Sequence, residues 1–254
     1  MTDSIAPTDL PSLHKLRAGT SPAGTPPFKV GIVIGPGFIP MDMVGVQTVF
    51  GLMPGAEIHL LWKSLDLVEG FPRWWTKPTT RFEDCPALDV LAVPMLPPEI
   101  QGDVDVIAFV AAQAKQARYT IGICNGVLLL GAAGVLAGKR VTASHPAMAG
   151  LADLGPAEIV PPGAGVVVDG GLFTAGPGVG SFEAALLVVA DAFGSQAAEL
   201  AELIIEYDPH PPLGSGLAST AKPELVAQFD GLMNGMTIAY RRDAAAAFAG
   251  RNAA

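Results

Sequence analysis

Two kinds of apolar pattern alternate along this chain. "FKVGIVIG" (28–35), "VLAV" (90–93) and "YTIGI" (119–123) are short, continuous and rich in β-branched residues, as strands buried on both faces require. "AEIHLLWKS" (56–64) alternates and predicts a further strand. Between them lie stretches with helical spacing. "MDMVGVQTVFGLM" (41–53) places Met41, Val44, Val49 and Leu52 at helix-compatible intervals and is stopped by Pro54-Gly55. Asp103–Tyr119 is amphipathic, acidic at its start and basic at its end, which suits the helix dipole. Ser181–Gly194 and the run "QAAELAELIIEYDPHPP", stopping before Pro209, predict two more helices, and a helical pattern returns from about Pro223 to the alanine-rich end. "AEIVPPGAGVVVDGGLFTAG" (157–176) predicts a pair of strands around the turn Asp169-Gly170-Gly171.

Strands alternating with helices through short connections imply a mainly parallel sheet covered on both faces, a doubly wound α/β sandwich. The reading is a single α/β domain over 28–254 behind a loose tail, 1–27. That tail is rich in Ser, Thr, Pro and Gly and lacks the basic start and apolar core of a secretory signal. Ligands of such sheets sit beyond the carboxyl ends of the strands, so attention falls on Pro36–Asp42, Pro94–Leu96, Cys124–Gly126 and Ser144–His145.

One run, Thr120 to Gly138, carries no charge and approaches the length of a membrane span. Its five glycines and Asn125 argue otherwise, since each interior glycine costs a helix about 1 kcal/mol relative to alanine. The run divides instead into the strand "YTIGI", the turn "CNG" and a buried helix, "VLLLGAAGVLAG" (127–138). Half of the residues are apolar, enough for a sizeable core, and the formal charge of -9 argues against nucleic acid or anionic membrane as partners. Two cysteines are too few for a disulfide framework and fit a reducing cytoplasm. The four histidines, His14, His59, His145 and His210, lie far apart and show no metal-ligand spacing, so the sequence gives no support for a metal, although distant residues can converge in the fold.

Cys124, in "GICNG", stands where an apolar strand meets an apolar helix. Flanking glycines there permit the sharp turn of a nucleophile elbow, and a helix N-terminus behind a thiol lowers its pKa. Packing as a small buried hydrophobe is the alternative. Cys85 precedes Pro86 without flanking glycines and reads as structural. Asp42, alone in the apolar stretch "GPGFIPMDMVG", either caps the helix that follows or points into the site, where burial would raise its pKa and suit it to proton transfer. His145 is a base or a polar strand end, and His59, inside "EIHLLW", a satisfied strand residue. Trp74 and Trp75 in "FPRWWTKP" line the pocket, line a subunit surface, or pack.

"FEDCPALDVLAVP", "ARYTIGICNGVLLLGAAGVLAGKRVTASH", "VVDGGLFTAGPGVGSFEAAL" and "LIIEYDPHPPLGSG" together resemble the ThiJ/PfpI superfamily, and within it the isonitrile (isocyanide) hydratases. The likeness runs from about Phe28 to Ala249. It implies a flavodoxin-like sandwich, a cytoplasmic homodimer, no metal or organic cofactor, Cys124 as nucleophile and Asp42 as the acid/base. It also implies hydration of an isonitrile to an N-substituted formamide through a thioimidate. Asn125, Gly126, Met95, Leu96 and either Ser144 or His145 then bind substrate or stabilise developing charge.

The chain departs from the pattern at several points. Asn125 stands where threonine is common, Met95 and Leu96 where the family has two glycines, and Val46 where it has proline. A related cysteine enzyme acting on a biosynthetic intermediate or a glyoxal-type compound, with Glu183 as a weaker carboxylate contender, is the alternative, as is a redox-sensing module. A DNA-binding regulator on this domain would carry a further basic helical region, and none is expected.

Overall fold

The computed structural model describes residues 24–252. Of the loose tail expected over 1–27, only 24–27 fall among the described residues. The elements in chain order are β1 (Phe28–Val33), α1 (Pro40–Gly51), β2 (Ala56–Trp62), β3 (Val68–Gly70), β4 (Trp74–Thr76), β5 (Thr80–Arg81), β6 (Val90–Val93), α2 (Pro98–Gln101), α3 (Val104–Ala114) and β7 (Tyr119–Ile123). There follow α4 (Gly126–Ala132), β8 (Arg140–Val141), α5 (Met148–Leu151), β9 (Glu158–Ile159), β10 (Val167–Asp169), β11 (Leu172–Ala175), α6 (Val179–Phe193), α7 (Ser195–Ile204) and α8 (Pro223–Asn252).

Seven strands form the central sheet in the order β10-β11-β7-β6-β1-β2-β5, parallel throughout except for the β10–β11 hairpin. Every residue of β6 and β7 is buried, which explains why those strands read as unbroken apolar runs. Helices α1 and α6 pack on each other and on the sheet, while α3, α4 and α8 form a second helical group. The first contact is close because Gly45 has no side chain: a β-carbon there would lie 2.0 Å from Ser181 Oγ. This is the expected flavodoxin-like architecture.

Three local expectations change. The helix predicted over 127–138 ends at Ala132, because Gly134 (φ 78°) and Gly138 (φ 70°) turn the chain through left-handed conformations. Helix α3 covers only 104–114 of the predicted 103–119, with the Asp103 side chain capping it by accepting from the Asp105 and Val106 amides at 2.9 and 3.2 Å. The start of the predicted strand pair, Glu158–Ile159, leaves the hairpin and pairs with β8.

Candidate active site

Four chain segments meet beyond the carboxyl ends of β1, β6, β7 and β11. Cys124 leaves β7 with φ 57°, a left-handed conformation that side chains other than glycine seldom adopt. Its amide donates to the Ala175 carbonyl at 3.0 Å, fixing the turn to the next strand. The flanking glycines are there for close approach. A β-carbon on Gly126 would lie 2.2 Å from the Val93 carbonyl oxygen, and one on Gly122 would lie 2.7 Å from Leu130 Cδ1 in α4. The elbow read from "GICNG" is thus built as a backbone contact between β6 and α4 plus a strand–helix contact beneath it.

Asp42 lies in the first turn of α1, fully buried. It does not cap that helix. Its Oδ2 accepts from the Met95 amide (3.2 Å) beyond β6, and its Oδ1 from the Gly178 amide (2.8 Å) beyond β11. Its carboxyl also lies against the Cys124 thiol. One carboxyl therefore ties α1, two strand ends and the cysteine together. Burial raises its pKa to about 6 despite the two amides and the thiol, which favour the charged form.

The thiol moves opposite to the sequence expectation. Burial, and then the negative charge of Asp42, push the Cys124 pKa up, and the Asn125 amide and Ser144 hydroxyl only partly offset them. The short α4 does not outweigh the loss of water. At neutral pH the pair is therefore a neutral thiol beside an ionised carboxylate.

Around them is a cavity of about 640 Å³. Cys124, Asn125, Met95, Ser144 and His145 all line it. Ser144 Oγ donates to Asn125 Oδ1 and lies against the Cys124 thiol, so Ser144 rather than His145 is the residue that faces it. His145 lies farther out, its Nε2 2.9 Å from Asp230 Oδ1 in α8. Asn125 is held from below, its carbonyl accepting from Gln101 Nε2 at 2.8 Å.

Three placements differ from the sequence reading. The Met95 amide is spent on Asp42, which leaves only its side chain to the cavity. Leu96 is fully buried away from the lining, with its carbonyl accepting from Tyr240 Oη at 2.6 Å. Gly126 also lies outside the lining and acts as the close-packing residue under the turn. Glu183, the weaker carboxylate contender, and the residues read as structural sit elsewhere. Glu183 Oε1 accepts from Tyr207 Oη at 3.1 Å, His59 Nδ1 meets Thr80 Oγ1 at 2.8 Å, and Cys85, its pKa pushed by burial to about 11, bonds the Pro86 carbonyl at 3.4 Å. Trp74 lines a neighbouring groove of about 660 Å³ with Met41, Phe71 and Val179, while Trp75 is 60% exposed.

Sequence reasoning missed Gly178, Gln101 and Tyr240. Gly178 and Gln101 act through a backbone amide and a side chain from distant segments. Tyr240 is buried in α8, its hydroxyl also lying near the Asn125 side chain. Its only signal was a lone tyrosine in an alanine-rich helix. Among the described residues no group of three or more His, Cys, Asp or Glu side chains could hold a metal ion, and no helix is long and apolar enough to cross a membrane.

Comparison with known proteins gives the class: the DJ-1/PfpI family model matches residues 28–190, and the chain belongs to that family. Over 201 residues it is 38% identical to the isonitrile hydratase of Pseudomonas putida, covering 78% of this chain and 86% of that protein, which supports an enzyme of this family. The crystal structure of a ThiJ/PfpI family protein from Pseudomonas syringae matches with a TM-score of 0.81 and 30% identity, over 96% of this chain and 98% of that one. Drosophila melanogaster DJ-1beta, 18% identical with a TM-score of 0.62, shares the fold over 72% of this chain and 100% of its own.

Proposed function

We propose that this chain is a cysteine-dependent isonitrile hydratase, with Cys124 as nucleophile and Asp42 as the group that moves protons. The observation that carries the reading is the Asp42 carboxyl placed against the Cys124 thiol at the floor of the cavity, together with the likeness to the Pseudomonas putida enzyme. As sulfur bonds to the terminal carbon of R–N≡C, Asp42 takes the thiol proton and returns it to that carbon, giving the thioimidate R–N=CH–S. Water then adds to the same carbon and the nitrogen is protonated. The C–S bond breaks, and the thiol regains a proton as the formamide R–NH–CHO leaves. The sum is one water added. Covalent capture divides a difficult hydration into two easier steps, and a carboxyl with a pKa of about 6 accepts and donates near neutrality. Asn125 and Ser144, bonded to each other beside the sulfur, orient the substrate and the attacking water.

The Asp42 carboxylate beside Cys124 helps hold its thiol protonated, which weighs against a peroxide sensor, since that role needs a ready thiolate. The enzyme works as a cytoplasmic homodimer joined through the exposed apolar groove at Met41, Phe71, Trp74 and Val179. Light scattering that returns a monomer mass would remove the dimer from this reading. The reaction is tested by incubating the protein with alkyl and aryl isonitriles and reading product mass. A gain of one water is expected, and no gain across the series overturns the assignment.

A further inference from the structure

The family match ends at residue 190, yet the wall of the cavity opposite Cys124 comes from beyond it. Helix α8 contributes Leu225, Phe229, Met233 and Met236, spaced by four, four and three residues and therefore on one face of the helix. The next position on that face is Tyr240, whose hydroxyl touches Asn125 and the Leu96 carbonyl. The stripe thus runs from the cavity mouth to the reacting end. Leu225, Phe229 and Met236 keep 46, 41 and 38% of their surface exposed, although the lower half of the same helix is anchored by buried Tyr240 and Ala244 and by Arg241 Nε on Asp153 at 2.7 Å. The upper half is pinned by the His145–Asp230 contact, with the His145 ring 5.9 Å from that of Phe229.

The chemistry of the lining is as one-sided as its position. Among the described residues it holds no Lys, Arg, Asp or Glu side chain, and its one imidazole is taken up by Asp230. Most of its polar side chains, Cys124, Asn125, Thr142 and Ser144, come from the turn after β7 and the segment after β8, with Ser215 turned to the Leu213 carbonyl, whereas Leu217, Phe71 and the α8 stripe line much of the rest. Two methionines in the roof give it adaptable surface. A cavity of this size encloses a drug-sized ligand, of which a reacting isocyano group is a small part.

We infer that α8 is the specificity-determining element of this enzyme and that it selects neutral substrates carrying a long or bulky apolar substituent. That substituent lies along Leu225, Phe229, Met233 and Met236 while the reactive carbon sits at Cys124. The inference rests on reading the Cys124 cavity as the reaction site, but its test does not depend on the reaction. Calorimetry on the full-length Cys124→Ala protein with N-alkylformamides from methyl to octyl reads binding alone. Kd falls about fourfold for each methylene buried. Phe229→Ser and Met233→Ser lower the ratio of methyl to octyl Kd by tenfold or more, with folding checked by circular dichroism. If Kd does not change with chain length, or both variants keep that ratio within twofold, the inference is overturned. Length-dependent binding in a protein that hydrates no isonitrile would sink the reaction assignment and leave the roof assignment standing. Hydration without length dependence would do the reverse.

Discussion

The floor and the roof of the cavity are built on different physical terms. At the floor, Cys124 is held by a left-handed turn, two glycines whose missing side chains admit backbone and helix, and a carboxyl bonded to two amides from distant strand ends. Nothing there moves without breaking several contacts at once. At the roof, a single helix presents partly exposed aliphatic, aromatic and thioether side chains and is fastened mainly at its far end. Fixed geometry suits bond making, which tolerates little misplacement, and adaptable apolar surface suits recognition of an inert substituent. On the proposed reading, the floor sets the chemistry and a helix beyond the matched family residues sets the substrate.

That contrast can be broken from the floor first. Cys124→Ala should reduce isonitrile turnover by more than a thousandfold while circular dichroism and melting remain close to wild type, because the thiol is the proposed nucleophile and contributes little to the packing. Next, Asp42→Asn should lower kcat by a hundredfold or more, the usual range for loss of a positioned acid/base. In the wild type, kcat/KM should rise with pH through about 6 as Asp42 ionises, and that limb should vanish in the variant. The sign for stability is opposite. The folded state raises the Asp42 pKa from 3.8 to about 6, so its contribution is complete below about pH 4 and is lost as pH rises through 6. By chemical denaturation, wild type should lose about 3 kcal/mol relative to the variant across that window.

Gly126→Ala sharpens the comparison through the fold. A β-carbon 2.2 Å from the Val93 carbonyl forces β6 and α4 apart, with a loss of roughly 3 kcal/mol by urea unfolding. The smallest effect belongs to the roof. Asp230→Asn removes a surface pairing with His145 and should cost less than about 1 kcal/mol, seen as a melting change of a few degrees at most. A large loss there would mean that the roof is as rigidly held as the floor.

Much of the fold was legible because burial on both faces writes unbroken apolar runs, as in "VLAV" and "YTIGI", and because Gly-Pro and Pro-Gly pairs mark where strands and helices stop. The elbow was legible for a similar reason: glycines flank the one residue that must turn. What local pattern could not show is what converges. Sequence periodicity places Asp42 on α1 but does not reveal that Met95 and Gly178 donate to its carboxyl. It could not show that Ser144 rather than His145 meets the thiol, because that follows from where the segment after β8 is carried against the turn at Cys124.

The thiol pKa was misjudged for the same reason, since burial and a neighbouring charge are properties of the assembled site. The near-membrane-length run from Thr120 to Gly138 illustrates the division. Its own residues determined a strand, a sharp turn at Cys124 and a helix, through β-branching and glycine. Only tertiary structure decided what that cysteine faces: a buried carboxyl beneath it, and across the cavity an apolar helix more than ninety residues away along the chain. Local preferences act over neighbouring residues, whereas a site is fixed by contacts between segments that sequence order keeps apart.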